Sequence, residues 1–303
     1  MAAALRFDTS FDPGHGVPAL LAPTITRITA PNAGPYTFTG TNSFLIGDAQ
    51  PFILDPGPDD DRHLNALVGA LAGRRPAAIL LTHTHRDHSD LVPKLVAATG
   101  APVWSGGPHR LSRTRRLLEF NPVGRESDFA LLPDRTLTDG EIISTGKLSL
   151  EVVTTPGHCA NHLAFALRGT PMLFSGDHVM GWNSTLVAVP DGSMADYLRS
   201  LQKLIARPEH HYIPAHGGEI ADGRAYAAAL LAHREARNGQ ITQAVNAGAT
   251  SVAALVSAIY PSLAAKLRRA AAMTVTAHVE YLAARGDIIA RPGLFGPRLA
   301  PAA

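Results

Sequence analysis

Four residues able to bind a metal lie within six positions of this chain: His83, His85, Asp87 and His88, in the segment THTHRDH. Neutral imidazole and carboxylate are suitable zinc ligands. The segment follows directly on AAILL at 77–81, a continuous apolar run of the kind expected for a strand buried on both faces. A strand end is a rigid platform, and a tight loop beyond it can aim several side chains at one point. Three further apolar runs end in the same way. Residues 150–155 lead through Pro156-Gly157 to His158, 172–176 lead to Asp177, and 211–215 lead to His216. A single HxH recurs by chance, and a single histidine after a strand is usually a polar loop residue. HxHxDH with three further strand-end ligands is a much sharper pattern. Two adjacent zinc ions need more ligands than one loop can offer, and these four strand ends provide seven.

The elements that must position these residues are also visible. Residues 41–47 and 51–55 read as strands joined by a Gly47-Asp48 turn. Asp59, Asp60 and Asp61 open a helix to about Leu71, since acidic residues suit a helix N-terminus. A second helix runs from Ser89 to about Ala98, with Pro93 in its first turn, where proline is tolerated. Strands are expected at 148–154, 163–167, 172–175 and 211–214. Ser193 and Asp196 form a capping-box-like start for a helix to about Ala206. The arginine-rich stretch 109–135 reads as irregular, with at most one short helix.

Composition shifts after about Ile220 to an alanine-rich segment with apolar residues at helical spacing. A long helix from Asp222 to Asn246 is expected, ended by Gly248. A shorter helix follows, capped by Thr250 or Ser251, then one from Ser262 to about Ala284 and a strand at 288–291. This order suggests a small winged-helix-like domain at 223–303 beside a larger domain at 1–222.

The chain has 303 residues and a formal net charge of +2, too small to announce a nucleic-acid or membrane partner by itself. Its 46% hydrophobic and 17% charged residues fit a globular rather than a disordered chain. With one cysteine, Cys159, no intrachain disulfide can form. No run is long enough for a membrane span or a signal peptide, so a cytoplasmic enzyme is the expectation.

THTHRDH, with TPGH, SGDH and PAHG, resembles the metallo-β-lactamase-fold hydrolase superfamily across about residues 40–220. The resemblance implies an α/β fold, a four-layer αββα sandwich with metals at one edge. It implies that His83, His85 and His158 hold one metal and that Asp87, His88 and His216 hold the second, with Asp177 bridging. Asp55 in FILDPG matches the family's aspartate behind the ligands. TGTNSFLIG, TPGHCANHLAF and LFSGDHVMGWNSTLV, together with the helical C-terminal part, are similar to the lactamase-β-like protein 2 group. That group adds a winged-helix domain, and its animal member is similar to a single-stranded RNA endonuclease. Residues 109–135 and 180–192 lie where the substrate pocket is expected.

The cofactor expectation is two zinc ions, with other divalent metals compatible. Two zinc ions roughly 3.5–4 Å apart can share a water and lower its pKa towards about 7, so a bridging hydroxide is the expected nucleophile. Asp87, with a second oxygen to spare, is the candidate proton shuttle. The expected function is a phosphodiesterase on single-stranded RNA; the alternatives are a small-molecule thioester, lactone or β-lactam hydrolase and, last, a non-catalytic metal-binding scaffold. A homo-oligomer is also open, and no membrane partner is expected. A nuclease needs an open basic groove; a small-molecule enzyme needs a closed, mostly apolar pocket.

Other residues carry weaker signals. Cys159 reads as a small buried residue, His162 and His178 as packing or solvent contacts in preference to donors behind the ligands, and His109 as having no partner motif. Arg110, Arg113, Arg115 and Arg116 form either a phosphate-binding patch or a solvated helix face. Lys266, Arg268 and Arg269 pose the same choice.

Overall fold

The computed structural model describes residues 5–116, 119–293 and 296–302, apart from the side chain of Lys266. Two sheets are stacked face to face, each covered on its outer face by helices. The first is built from β1 (Ala19–Ala22), β2 (Ile25–Thr29), β3 (Asn42–Ile46) and β4 (Phe52–Leu54), which pair antiparallel. Helix α1 (Asp61–Leu71), β5 (Ala78–Leu80), α2 (Arg86–Ser89), α3 (Val92–Thr99), β6 (Val103–Ser105) and β7 (Arg135–Thr136) follow, and β4 to β7 run parallel. The second sheet is made of β8 (Ile142–Thr145), β9 (Leu148–Thr154), β10 (Leu163–Leu167) and β11 (Met172–Gly176). After α4 (Met194–Ile205), β12 (His211–Pro214) pairs parallel to β11 at the far edge.

Strand periodicity sorts the side chains into layers, because successive residues point to opposite faces. Phe44, Phe52, Leu54 and Leu80 meet Leu150, Val152, Phe165, Phe174 and Ile213 between the sheets. The alternating positions Leu45, Ile53 and Ile79 pack outward on Leu67 and Leu71 of α1 and on Leu95 of α3. On the other sheet Val153, Ala164, Leu173 and Tyr212 face Leu198, Leu201 and Leu204 of α4. The result is the αββα order, and β5 shows why its apolar run has no polar positions: both of its faces are buried. The N-cap of α1 is Asp60, whose carboxylate accepts from the backbone N–H groups of Arg62 and His63, worth about 1 kcal/mol.

The last part of the chain comprises α5 (Gly223–Asn246), α6 (Val252–Ile259), α7 (Arg268–Arg285), β13 (Ile288–Arg291) and β14 (Arg298–Pro301). The two strands pair only with each other among the described residues. Ile241, Val245, Leu255, Val256, Val275 and Val279 form a separate core. Helix α5 also sends Ala227 and Leu230 into the core under α4, so it belongs to two cores at once.

Some elements differ from the sequence reading. The strands β1, β2, β6, β7 and β8 are not among those the sequence predicts. They are two to five residues long and lie at or near sheet edges, where little periodicity accumulates. The helix expected from Ser262 begins at Arg268, because Ala264 takes an extended backbone before a short 3-10 turn. The loop 109–135 has no helix among its described residues.

Candidate metal centre

The strand-end logic brings His83, His85, Asp87, His88, His158, Asp177 and His216 into one pocket at the edge of the sandwich. Three overlapping groups have ligand atoms mutually within 4.8 Å: His83 with His85 and His158, His83 with His88 and Asp177, and Asp87 with His88 and His216. Asp177 spans the set, its Oδ1 lying 3.5 Å from His88 Nε2 and 3.3 Å from His216 Nε2, and its Oδ2 3.7 Å from His158 Nε2.

The outer contacts fix which nitrogen of each ring faces inward. Thr82 Oγ1 donates to Asp55 Oδ2 at 2.7 Å, so it can only accept from His83 Nδ1, 3.0 Å away. His158 Nδ1 donates to the Leu186 carbonyl at 2.7 Å, and His216 Nδ1 to the Gly40 carbonyl at 3.1 Å. His88 Nδ1 lies 3.1 Å from Asp55 Oδ2, and His85 Nε2 lies 3.0 Å from Asp191 Oδ2. In all five imidazoles one nitrogen makes the outward hydrogen bond and the other faces the centre, the nitrogen a metal would take, as expected when outer partners set the tautomers of ligating histidines.

That arrangement fits a metal. His85 Nδ1 sits 3.0 Å from His83 Nε2 and 2.9 Å from His158 Nε2. Three converging lone pairs repel unless a cation lies among them, and a single proton can bridge only two. His88 Nε2, His216 Nε2 and Asp177 Oδ1 are buried with no hydrogen-bond partner among the described residues, a costly state for polar atoms unless a cation satisfies them. The electrostatics agree. Burial pushes the Asp87 and Asp177 carboxyls up, but the neighbouring His88 and His216 outweigh it and hold both below the usual range. Burial pushes His216 down, but Asp177 and Asp87 outweigh it and lift the ring to about 10; His88 is raised likewise, chiefly by Asp87 and Asp177. The pocket draws positive charge, as protons or as metal ions.

Asp55 supports two parts of the cluster. Its Oδ1 accepts from the Thr82 N–H at 2.7 Å, and its Oδ2 holds Thr82 Oγ1 and His88. Its backbone is left-handed, with φ of 50°, a conformation that aspartate tolerates better than most residues. Gly176, with φ of 54°, precedes Asp177. A Cβ there would lie 2.6 Å from His162 Nε2, so the turn requires glycine.

Other residues near the centre were not legible from sequence. Asp191 is fully buried and holds His85 through one oxygen and His109 Nε2 through the other, at 2.8 Å. His109 Nδ1 bonds Thr84 Oγ1 at 2.9 Å, and Asn161 donates to that same hydroxyl at 2.8 Å. Asp191 stands in a PDGS turn and resembles an ordinary turn residue. His162 also departs from expectation: its Nε2 accepts from the Asp177 N–H at 3.1 Å, and its Nδ1 bonds Thr155 at 2.8 Å. It braces Asp177 rather than merely packing. His178 does pack, with its ring 4.5 Å from that of Tyr197. Cys159 is buried, with its thiol pKa pushed up by burial, and lies in none of the ligand groups.

The arginine cluster is neither a solvated helix face nor a free patch. Arg113 is bound by two carboxylates, with Nη2 2.6 Å from both Glu119 Oε1 and Glu280 Oε1. Arg116 also reaches Glu280, at 3.0 Å. Arg110 donates to the carbonyls of Gly106 and Ala160, and Arg115 to that of Glu119. These arginines fasten the 109–119 loop to itself, to the core and to α7. Arg268 and Arg269 are exposed, and the Lys266 side chain lies outside the described residues.

A cavity of about 610 Å³ opens over the cluster, with His85, Asp87, His158 and Asp177 on its floor. Tyr36, Trp182, Met180 and Leu186 form one side, and Met273, Ala270 and Leu263 from the C-terminal part form another. Trp182 is stacked on Phe38, with ring centroids 5.0 Å apart. Among the described residues no helix is long and apolar enough to cross a membrane.

Comparison with known proteins gives matching results. Residues 36–216 match the metallo-beta-lactamase superfamily, and residues 251–292 match the beta-lactamase associated winged helix domain. The chain is 30% identical over 223 residues to the lactamase-like protein nscB of Neosartorya fischeri, covering 72% of this chain and 60% of that protein. It is 27% identical over 208 residues to a beta-lactamase-like protein 2 homolog of Caenorhabditis elegans, covering 66% and 63%. These matches thus span less than two thirds of either relative's length. Among solved structures, a beta-lactamase domain protein from Burkholderia ambifaria shares the fold, with TM-score 0.79 and 23% identity over 97% of this chain and 96% of that one. A metallo-beta-lactamase family protein from Thermus thermophilus aligns at TM-score 0.75 with 26% identity, covering 93% of this chain and all of that one.

Proposed function

The chain belongs to the metallo-beta-lactamase superfamily, and from that premise we propose that it is a dinuclear zinc hydrolase of small acyl substrates: esters, thioesters or lactones. The observation that carries the choice of substrate class is the bounded, mostly apolar cavity over the ligand cluster. An RNA-cleaving enzyme would need an open basic groove, and the arginines of the 110–116 cluster are bound internally; the cations that do line the cavity, Arg234, Arg237 and Arg269, stand among a mostly apolar lining. We take 1–222 as the catalytic domain and 223–303 as the winged-helix-like domain.

In this reading His83, His85 and His158 hold one metal, Asp87, His88 and His216 hold the other, and Asp177 is shared. Bound zinc supplies Lewis acidity, lowering the pKa of water and polarising the acyl oxygen. The chain's own residues do the rest. The outward hydrogen bonds to Asp55, Asp191, Thr82, Leu186 and Gly40 keep each ring in its ligating tautomer. Asp87 lines the cavity with its side chain 27% exposed, and one oxygen faces His88 and His216. Its other oxygen is available to accept a proton from the attacking water and return it to the leaving group. Leu186, Met180 and Trp182 exclude water from the acyl group.

The test sets purified protein against a thioester, a lactone, a β-lactam, a generic phosphodiester and single-stranded RNA, with Asp177→Ala as control and elemental analysis of metal content. Turnover of an ester, thioester or lactone with two zinc per chain is expected. Metal-dependent RNA cleavage without acyl turnover would overturn the reading.

A further inference from the structure

Part of the lining of the cavity over the metal cluster is positively charged and has no ion-pair partner among the described residues. Helix α5 contributes His233, Arg234 and Arg237 to the lining. Arg234 is 97% buried, since only 3% of its surface is exposed. Among the described residues no carboxylate lies within ion-pair distance of either arginine; every acid partner found belongs to other cations. Arg234 has one donor on the Thr185 carbonyl, its guanidinium over the Tyr197 ring at 5.2 Å, and a buried Nε with no partner. Arg237 lies over the Tyr260 ring at 4.3 Å and gives one donor to Gln240 at 2.7 Å. The Nδ1 of His233 is also buried and unpartnered. Burial, then the two arginines, push the His233 pKa down, and burial and Arg234 depress that of Arg237.

Such a group is unusual for a structural role. Buried arginines are normally paired with carboxylates, because a charge removed from water without a partner is costly. The Arg113 clamp shows how this chain pairs arginines when only structure is at stake. The α5 group instead lines the same cavity as the ligand cluster. Arginine presents a fixed fork of donors that suits carboxylate and phosphate oxygens.

We propose that Arg237, backed by Arg234 and His233, anchors an anionic group of the substrate, so that the enzyme acts on acyl compounds carrying a carboxylate or phosphate remote from the bond that is cut. The C-terminal domain then determines specificity, while the strand ends determine chemistry. This rests on the acyl-hydrolase reading for the identity of the bond, but not for the binding of the anion.

The experiment measures binding of octanoate, octyl phosphate and the neutral octanamide to the metal-loaded protein by calorimetry, alongside turnover of an acyl probe. Arg237→Ala and Arg237→Lys are compared with the native chain, with metal content checked for each. At least one anion should bind the native protein about tenfold to a hundredfold more tightly than octanamide, the range for a charge-assisted hydrogen bond. Which anion it is distinguishes a carboxylate from a phosphate substrate. In Arg237→Ala that ratio should fall towards one, and Arg237→Lys should retain most of it. An unchanged ratio in Arg237→Ala would mean that the anion sits on the metals, and would overturn the proposal. So would a native ratio near one. If the ratio behaves as expected but no acyl probe is turned over, the anchor stands and the hydrolase reading falls; turnover with a ratio of one gives the reverse.

Discussion

Asp191 offers a sharp test of how the metal centre is supported, because it touches no proposed ligand atom directly. One carboxylate oxygen takes the Nε2–H of His85 and the other takes His109. In Asp191→Ala both imidazoles lose a buried acceptor, at about 1–3 kcal/mol for each unsatisfied group. The two losses are neighbours and will not simply add, but even one is a large share of a stability of about 5–15 kcal/mol. For the metal, the loss of a partner behind a ligating histidine costs about 10–100-fold in affinity, or about 1.4–2.7 kcal/mol. Asp191→Asn should be milder for a geometric reason. Its amide oxygen can keep accepting from His85, while its amide nitrogen turns to His109, whose Nε2 then accepts and whose Nδ1–H donates to Thr84. In the opposite orientation the His85 proton would move to Nδ1 and block the lone pair. The assay is zinc competition against a chromogenic chelator, with urea unfolding run in parallel. Asp191→Ala should weaken the position held by His83, His85 and His158 while sparing the position held by Asp87, His88 and His216. Native affinity at both positions in Asp191→Ala, or a greater loss in Asp191→Asn, would refute the reasoning.

Asp177→Ala should abolish hydrolysis and strip at least one metal, whereas Cys159→Ser should leave metal content near native; elemental analysis of both decides this. Metal uptake should release protons. His216 is lifted to about 10 and His88 is raised as well, so a metal must compete with protons at these rings. Apparent zinc affinity should therefore rise with pH while those rings remain protonated and fall as pH drops, which calorimetry in buffers of differing ionisation enthalpy will read. Arg113→Ala should destabilise the fold by about 1–2 kcal/mol through release of Glu119 and Glu280, without weakening RNA association; a change in RNA affinity alone would restore the phosphate-patch reading. Glu119 is held at about 2, chiefly by its bonds to Arg113. That part of the stability is present above its ordinary pKa of 4.5 and is lost as pH falls from there towards 2, observable as an acid-side drop in Tm that Arg113→Ala abolishes.

The parts legible in the sequence were those with a local signature. AAILL followed by THTHRDH announces a buried strand and its loop, and the winged-helix order follows from alanine-rich helical spacing closed by Gly286. Short edge strands such as β7, with two residues, carry no period to read. The second tier of the site was equally silent. Asp191 lies 106 positions from His85, and nothing in a PDGS turn indicates that its carboxylate is buried under an imidazole. His162 differs from His178 only in what the fold places beside it. The arginine cluster misled because a run of like charges looks free until its partners are seen, and Glu280 is 167 positions from Arg113.

Helix α5 has 24 residues and passes from the core beneath α4 into the core of the C-terminal helices. A single rod clamped in two places cannot act as a hinge. The cavity wall it carries therefore cannot swing clear of the ligand cluster unless one core melts. Solute entry must depend on a shorter covering segment outside both cores, such as 34–38. Melting should accordingly be one cooperative event, and a cut placed at residue 223 should yield two insoluble halves rather than a working hydrolase and a detachable accessory.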